Sequence, residues 1–195
     1  MPVKLLLAAV VLAALMGAVL RVAKSQAEQP QAKAIADGEK KSDKDAYLEM
    51  RGFVLKATRA DLRVPAGRTR LEPFSALMEI GYPNGIVVTV VSGVDGSVSL
   101  YTSNGGSRIS GTDPIKNAAR AFVSLTAKLQ SECKPTKEFP LPKSGEATFY
   151  LLTDEGAFTT GAKTDAIADE KHPLYPYFRA GHEVITQYRL RDEKQ

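Results

Sequence analysis

A chain of 195 residues with 44% hydrophobic and 25% charged side chains is long enough for one domain with appendages, and too apolar to be disordered throughout. Its single cysteine, Cys133, excludes an intramolecular disulfide framework and a multi-cysteine metal centre. Of the formal net charge of +4, residues 1–27 contribute +3 through Lys4, Arg21 and Lys24 with no acid, so the rest of the chain lacks the basic surplus expected of a nucleic-acid-binding domain.

Leu5–Leu20 is an unbroken apolar run of 16 residues. As a helix it spans roughly 24 Å, against roughly 30 Å of bilayer hydrocarbon. Two readings fit residues 1–24. Lys4, the apolar core and the small-x-small step Ser25-Gln26-Ala27 have the layout of a signal peptide. Arg21 and Lys24, just after the run, suit a retained membrane anchor. Either reading predicts a protein anchored in a membrane or exported across one, with the side undecided. Residues 25–42 are rich in Gln, Ala, Lys, Asp and Glu and predict a solvated linker.

A single globular domain is expected over 43–191, with a polar tail at 192–195. Ser42-Asp43 predicts a helix start, and Tyr47, Met50, Val54 and Ala57 recur at helical steps towards Ala60. Pro65-Ala66-Gly67 breaks the chain. Phe74–Tyr82 alternates as a strand, with Phe74, Ala76, Met78 and Ile80 on one face and Ser75 and Glu79, interrupted by Leu77, on the other. Ile86–Gly111 is the strongest local signal. Ile86–Val91 is apolar on both faces, which predicts a covered strand with Val88 and Val90 buried. Gly93-Val94-Asp95-Gly96 suits a hairpin turn, and Ser97–Ser103 returns with Val98 and Leu100 opposite Ser99 and Tyr101. Asn104-Gly105-Gly106 then predicts a corner leading to a helix at Asp113-Pro114, whose stripe is Ile115, Ala119, Phe122, Leu125 and Leu129. Pro135, Pro140 and Pro142 mark a crossing loop. Two further strands follow at Ala147–Leu152 and Ala157–Ala162, joined by the turn Asp154-Glu155-Gly156. A last helix is expected from His172-Pro173, buried along Leu174, Phe178, Gly181, Ile185 and Tyr188.

This is an α/β chain of the α+β type: one antiparallel sheet of about five strands with three covering helices, preceded by an N-terminal apolar helix. The element order resembles profilin-like domains of the roadblock and longin kind. That resemblance implies a fold that hosts scaffolds, regulators and small-ligand sensors, and it assigns no functional residue.

Candidate sites are few. Arg51–Arg70 holds six basic residues and one acid, and Arg51, Lys56, Arg59 and Arg63 form a candidate patch for anionic lipid or an acidic partner. Asn104, Gly105 and Gly106 precede a helix and form a candidate anion-binding corner, although the chain has neither GxxxxGK[ST] nor GxGxxG. His172 and His182 lack the i, i+4 spacing of a helical metal pair, and neither HExxH nor GxSxG occurs. Asp154-Glu155 could supply half of an acid–base pair, though turn chemistry accounts for it, and Tyr175-Pro176-Tyr177 could offer an aromatic surface. No pattern calls for a cofactor or a metal. The expectation is a non-enzymatic, membrane-associated or exported interaction or scaffold protein with a possible protein partner and no nucleic acid. The alternatives are an extracytoplasmic small-ligand sensor and, third, an enzyme of unrecognised chemistry.

Overall fold

The computed structural model describes residues 42–67 and 69–194. The apolar run Leu5–Leu20, the linker before Ser42, Arg68 and Gln195 lie outside the described residues. Among those described, no helix is long and apolar enough to cross a membrane.

The strands are β1 (Ser75–Gly81), β2 (Val87–Gly93), β3 (Val98–Thr102), β4 (Ser107–Ile109), β5 (Lys134–Thr136), β6 (Glu146–Thr153) and β7 (Gly156–Lys163). The helices are α1 (Asp43–Lys56), α2 (Asp113–Thr126), α3 (Thr164–Ile167) and α4 (Tyr175–Asp192), with a 3-10 segment at Ala127–Glu132. The chain is α+β, with one seven-stranded sheet in the order β4-β3-β2-β1-β6-β7-β5, antiparallel throughout.

The expected five strands become seven because β4 and β5, three residues each, form the two edges. Neither is long enough to show alternation, and Pro135 inside β5 is tolerated because an edge strand need not donate on both sides.

β1 is buried along its whole length, as befits the central strand. Its side chains alternate between two cores. Ala76, Met78 and Ile80 face one side with Val90, Phe149 and Leu151, where Ile115 and Phe122 of α2 and Val184 of α4 cover them. Leu77 faces the other side with Val91 and Tyr150, under Tyr47, Val54 and Leu55 of α1. Burying each large apolar side chain contributes about 1.5–3 kcal/mol, so closing both faces supplies most of the drive to fold. Within the central hairpin Val90 is fully buried, whereas Val88 is only half-buried. Ser99 and Tyr101 are both buried, so their face of β3 meets α1's layer rather than water.

Local chemistry sets the helix ends. Ser42 caps α1 by accepting the Asp45 amide at 3.2 Å, and Asp43 and Asp45 suit the positive end of the helix. The helix stops at Lys56 rather than near Ala60 because the Asp61 carboxylate accepts from the Thr58 amide at 2.8 Å and its hydroxyl at 2.7 Å, offering the backbone a turn in place of another helical bond. The last helix begins at Tyr175, not His172. The His172 Nδ1 accepts the Leu174 amide at 3.1 Å, holding the turn that precedes it.

Candidate functional site

The basic residues of 51–63 do not share one face. Arg51 points into the sheet and is 7% exposed. Its Nε and Nη2 donate to the two oxygens of Glu79, each at 2.7 Å, and its Nη1 and Nη2 donate to the carbonyls of Phe139 and Pro140 at 2.9 and 3.1 Å. The Thr89 hydroxyl donates to Glu79 Oε1 at 3.1 Å, so the 2.8 Å contact between Tyr47 and Thr89 has Tyr47 as its donor. Tyr150 donates to the Pro140 carbonyl at 3.1 Å. Burial, with the Glu79 charge adding to it, pushes the hydroxyls of Tyr47 and Tyr150 up to about 12. This closed network fixes α1 and the crossing loop to the sheet.

Arg59 is also engaged. It pairs with Asp154 at 3.0 Å, donates to the carbonyls of Pro65 and Glu72 at 2.7 and 3.0 Å, and lies 5.0 Å from the centre of the Phe74 ring. Arg63 is exposed and left-handed, with φ 54°. Lys56 is exposed and has no ion pair among the described residues.

The glycine corner is the turn of the β3–β4 hairpin, and α2 starts only at Asp113. Gly105 adopts φ 97°, its amide donates to the Thr102 carbonyl at 3.1 Å, and the Gly106 amide donates to the Thr102 hydroxyl at 2.9 Å. A Cβ on Gly105 would lie 2.6 Å from the carboxyl carbon of Asp43 and 2.8 Å from one of its oxygens. An acid therefore faces Asn104-Gly105-Gly106, and the amides of both glycines are already engaged. Asp154 and Glu155 are ion-paired with Arg59 and Arg70. Burial lowers the His182 pKa, and the ring stands edge-on to Phe178 with centroids 4.4 Å apart. Burial, aided by Glu132, pushes the Cys133 thiol up to about 11, against nucleophilic use near neutrality. Tyr175 and Tyr177 are both half-buried, and Tyr175 donates to Glu170 at 3.1 Å. Among the described residues no group of three or more His, Cys, Asp or Glu could hold a metal.

Lys56 and Arg59 do meet at one place. An open cleft of about 510 Å³ lies between the C-terminal end of α1 and the β5–β7–β6 end of the sheet. Leu55, Phe74, Phe139, Leu152 and Ala157 supply apolar lining, while Lys56, Arg59 and Lys137 outnumber the one acid, Asp154. Phe139 is set edge-on against Tyr150, with centroids 5.4 Å apart, and Arg51 holds its carbonyl. Phe53 stands three residues before Lys56 and four before Ala57, on the same flank of α1, and is 62% exposed. Phe53 lies three residues after Met50 and four before Ala57, so the repeat Tyr47–Met50–Val54–Ala57 does not mark it as exposed; the buried face of α1 runs instead through Tyr47, Arg51, Val54 and Leu55. Lys137 and Phe139, on the crossing loop, carried no signal in the sequence either.

A second open groove of about 550 Å³ lies between β3–β4 and the end of α4, over Leu100, Ile185 and Tyr188. Its charges neutralise one another, Arg108 with Asp192 at 3.0 Å and Arg189 with Glu193 at 3.5 Å. The cleft at α1 therefore combines apolar surface with uncompensated charge, and this groove does not. Comparison of the chain with protein-family models, with curated proteins and with solved structures returned no match.

Proposed function

We propose that this chain is a non-enzymatic interaction protein, anchored in or exported across a membrane by its N-terminal apolar segment, whose folded domain docks a protein partner at the α1 cleft. The observation that carries this reading is the open cleft itself, with its apolar lining and cationic lips, and Phe53, 62% exposed, stands one helical turn before Lys56 on its rim. A depression that joins apolar lining to unpaired positive charge offers a partner both area to bury and a sign to match. The helix–strand order, in its resemblance to profilin-like domains, fits a scaffold or regulator. A small-ligand sensor is the second reading, favoured by a volume inside the range of ligand pockets. The open sides of the cleft favour the first, since pockets for small ligands usually enclose them.

The test is affinity capture with the full chain as bait, wild type against Phe53→Ser, with partners quantified by mass spectrometry. Proteins depleted from the variant's capture support the reading. Equal recovery on both baits, with both folded, overturns it.

A further inference from the structure

We infer that the α1 cleft takes an extended acidic segment carrying an apolar side chain, an inference that rests on the interaction reading above. The charges determine the occupant's sign. Asp154 offsets Arg59, whose nitrogens are engaged with Asp154, Pro65 and Glu72. Lys56 and Lys137 are exposed and have no ion pair among the described residues, which leaves two ammonium groups on the lips of the cleft. An anionic occupant lets both keep their charge and gain a partner. A cationic one faces repulsion.

The lining supplies the apolar requirement. Leu55, Phe74 and Leu152 are buried beneath the surface, while Phe139 and Ala157 are half-buried and still offer area to a ligand. Phe53, one helical turn before Lys56, is a further exposed apolar side chain on α1. The wall is also preorganised. Arg51 ties the Phe139 and Pro140 carbonyls to α1, and Tyr150 holds Pro140 from the sheet. A partner therefore meets a fixed apolar wall, which lowers the ordering cost of binding. The open sides suit a segment that runs through the cleft and continues beyond it, whereas a free small anion would leave much of its surface in water.

The experiment uses the full chain and a fluorescein-labelled peptide with a central Leu-Phe pair flanked by glutamates, read by anisotropy. The control peptide carries lysines in place of the glutamates. The acidic peptide is expected to bind and the lysine peptide not to. Lys56→Glu combined with Lys137→Glu should weaken binding about tenfold, and raised salt should weaken it further. Phe53→Ser should weaken it separately, with the melting temperature unchanged in each variant. Equal binding of the two peptides, or an unchanged Kd on double charge reversal, overturns the acidic occupant. Binding to phosphatidylserine vesicles without binding of the acidic peptide overturns it in favour of a lipid surface. Failure of the acidic peptide while Phe53→Ser still depletes captured partners would sink this inference and leave the interaction reading standing. Failure of both would remove both.

Discussion

Arg51 and Glu79 form a two-pronged ion pair, both nitrogen–oxygen distances 2.7 Å, beneath α1 on the central strand of the sheet. Glu79 is fully buried. Taking two charges out of water costs several kcal/mol for each, and the pair is sustained because Thr89 and two loop carbonyls meet the remaining polar groups. Removing one partner strands the other charge. Arg51→Met or Glu79→Leu alone should therefore cost about 3–5 kcal/mol, a large part of a typical stability of about 5–15 kcal/mol. The double replacement should recover much of that loss. Urea denaturation of the four proteins measures it, and a double variant as unstable as the sum of the singles would show that the charges are not coupled.

The buried tyrosines predict an alkaline limit. Tyrosine ordinarily titrates at 10.0, and burial holds Tyr47, Tyr150 and Tyr188 protonated up to about 12. The folded state thus binds more protons than the unfolded state in that window. The stabilisation is fully present below pH 10 and is lost as pH rises through 12. Three such groups together give a slope approaching about 4 kcal/mol per pH unit. Unfolding is expected between these limits, with tyrosinate absorbance from the buried rings appearing together with the loss of near-ultraviolet circular dichroism. Ionisation of all the rings near 10 in a protein that keeps its native spectrum would contradict this.

Arg59 organises the connection between α1 and β1. Its guanidinium reaches Asp154, Pro65 and Glu72 while lying over Phe74, a set that needs a planar fork. Arg59→Lys keeps the charge and loses the fork. It should cost about 1–2 kcal/mol and speed proteolysis within 58–73. Unchanged cleavage there would assign the order of this connection to Phe74 and Val64 instead.

Much of the fold was legible because periodicity is local. The Met78 and Val90 faces, the Ser42 cap and the Gly93–Gly96 turn all follow from neighbours in the chain. β4 and β5 were not legible, since a three-residue edge is defined by the strand it pairs with. The sequence groups Arg51 with Lys56, Arg59 and Arg63 because nothing local separates them, and the partner that draws Arg51 inwards, Glu79, lies 28 residues away. A hint did exist: Leu77 between Ser75 and Glu79 makes a purely solvent-facing second face of β1 implausible. Of the cleft, Lys56 and Arg59 stood out by charge, and Phe53 did not stand out at all, because its spacing to Met50 and Ala57 is that of a buried helix face. Lys137 joins them only through the path of the crossing loop.

Gly181 shows how packing can overrule helix propensity. It lies inside α4, where alanine would favour the helix by about 1 kcal/mol over glycine. A Cβ there would stand 2.5 Å from the Met78 sulfur and 2.6 Å from its methyl, far inside van der Waals contact. Met78 is fully buried on β1, so its side chain cannot swing into solvent to make room. Gly181→Ala should therefore destabilise by about 1–3 kcal/mol, the overlap outweighing the propensity gain. Met78→Val shortens the opposing side chain. Combined with Gly181→Ala it should lose less than the two single changes added together, a coupling of about 0.5 kcal/mol or more. Thermal and urea unfolding of the four proteins gives the cycle. A Gly181→Ala protein more stable than wild type would mean that α4 does not approach β1 as closely as this glycine permits.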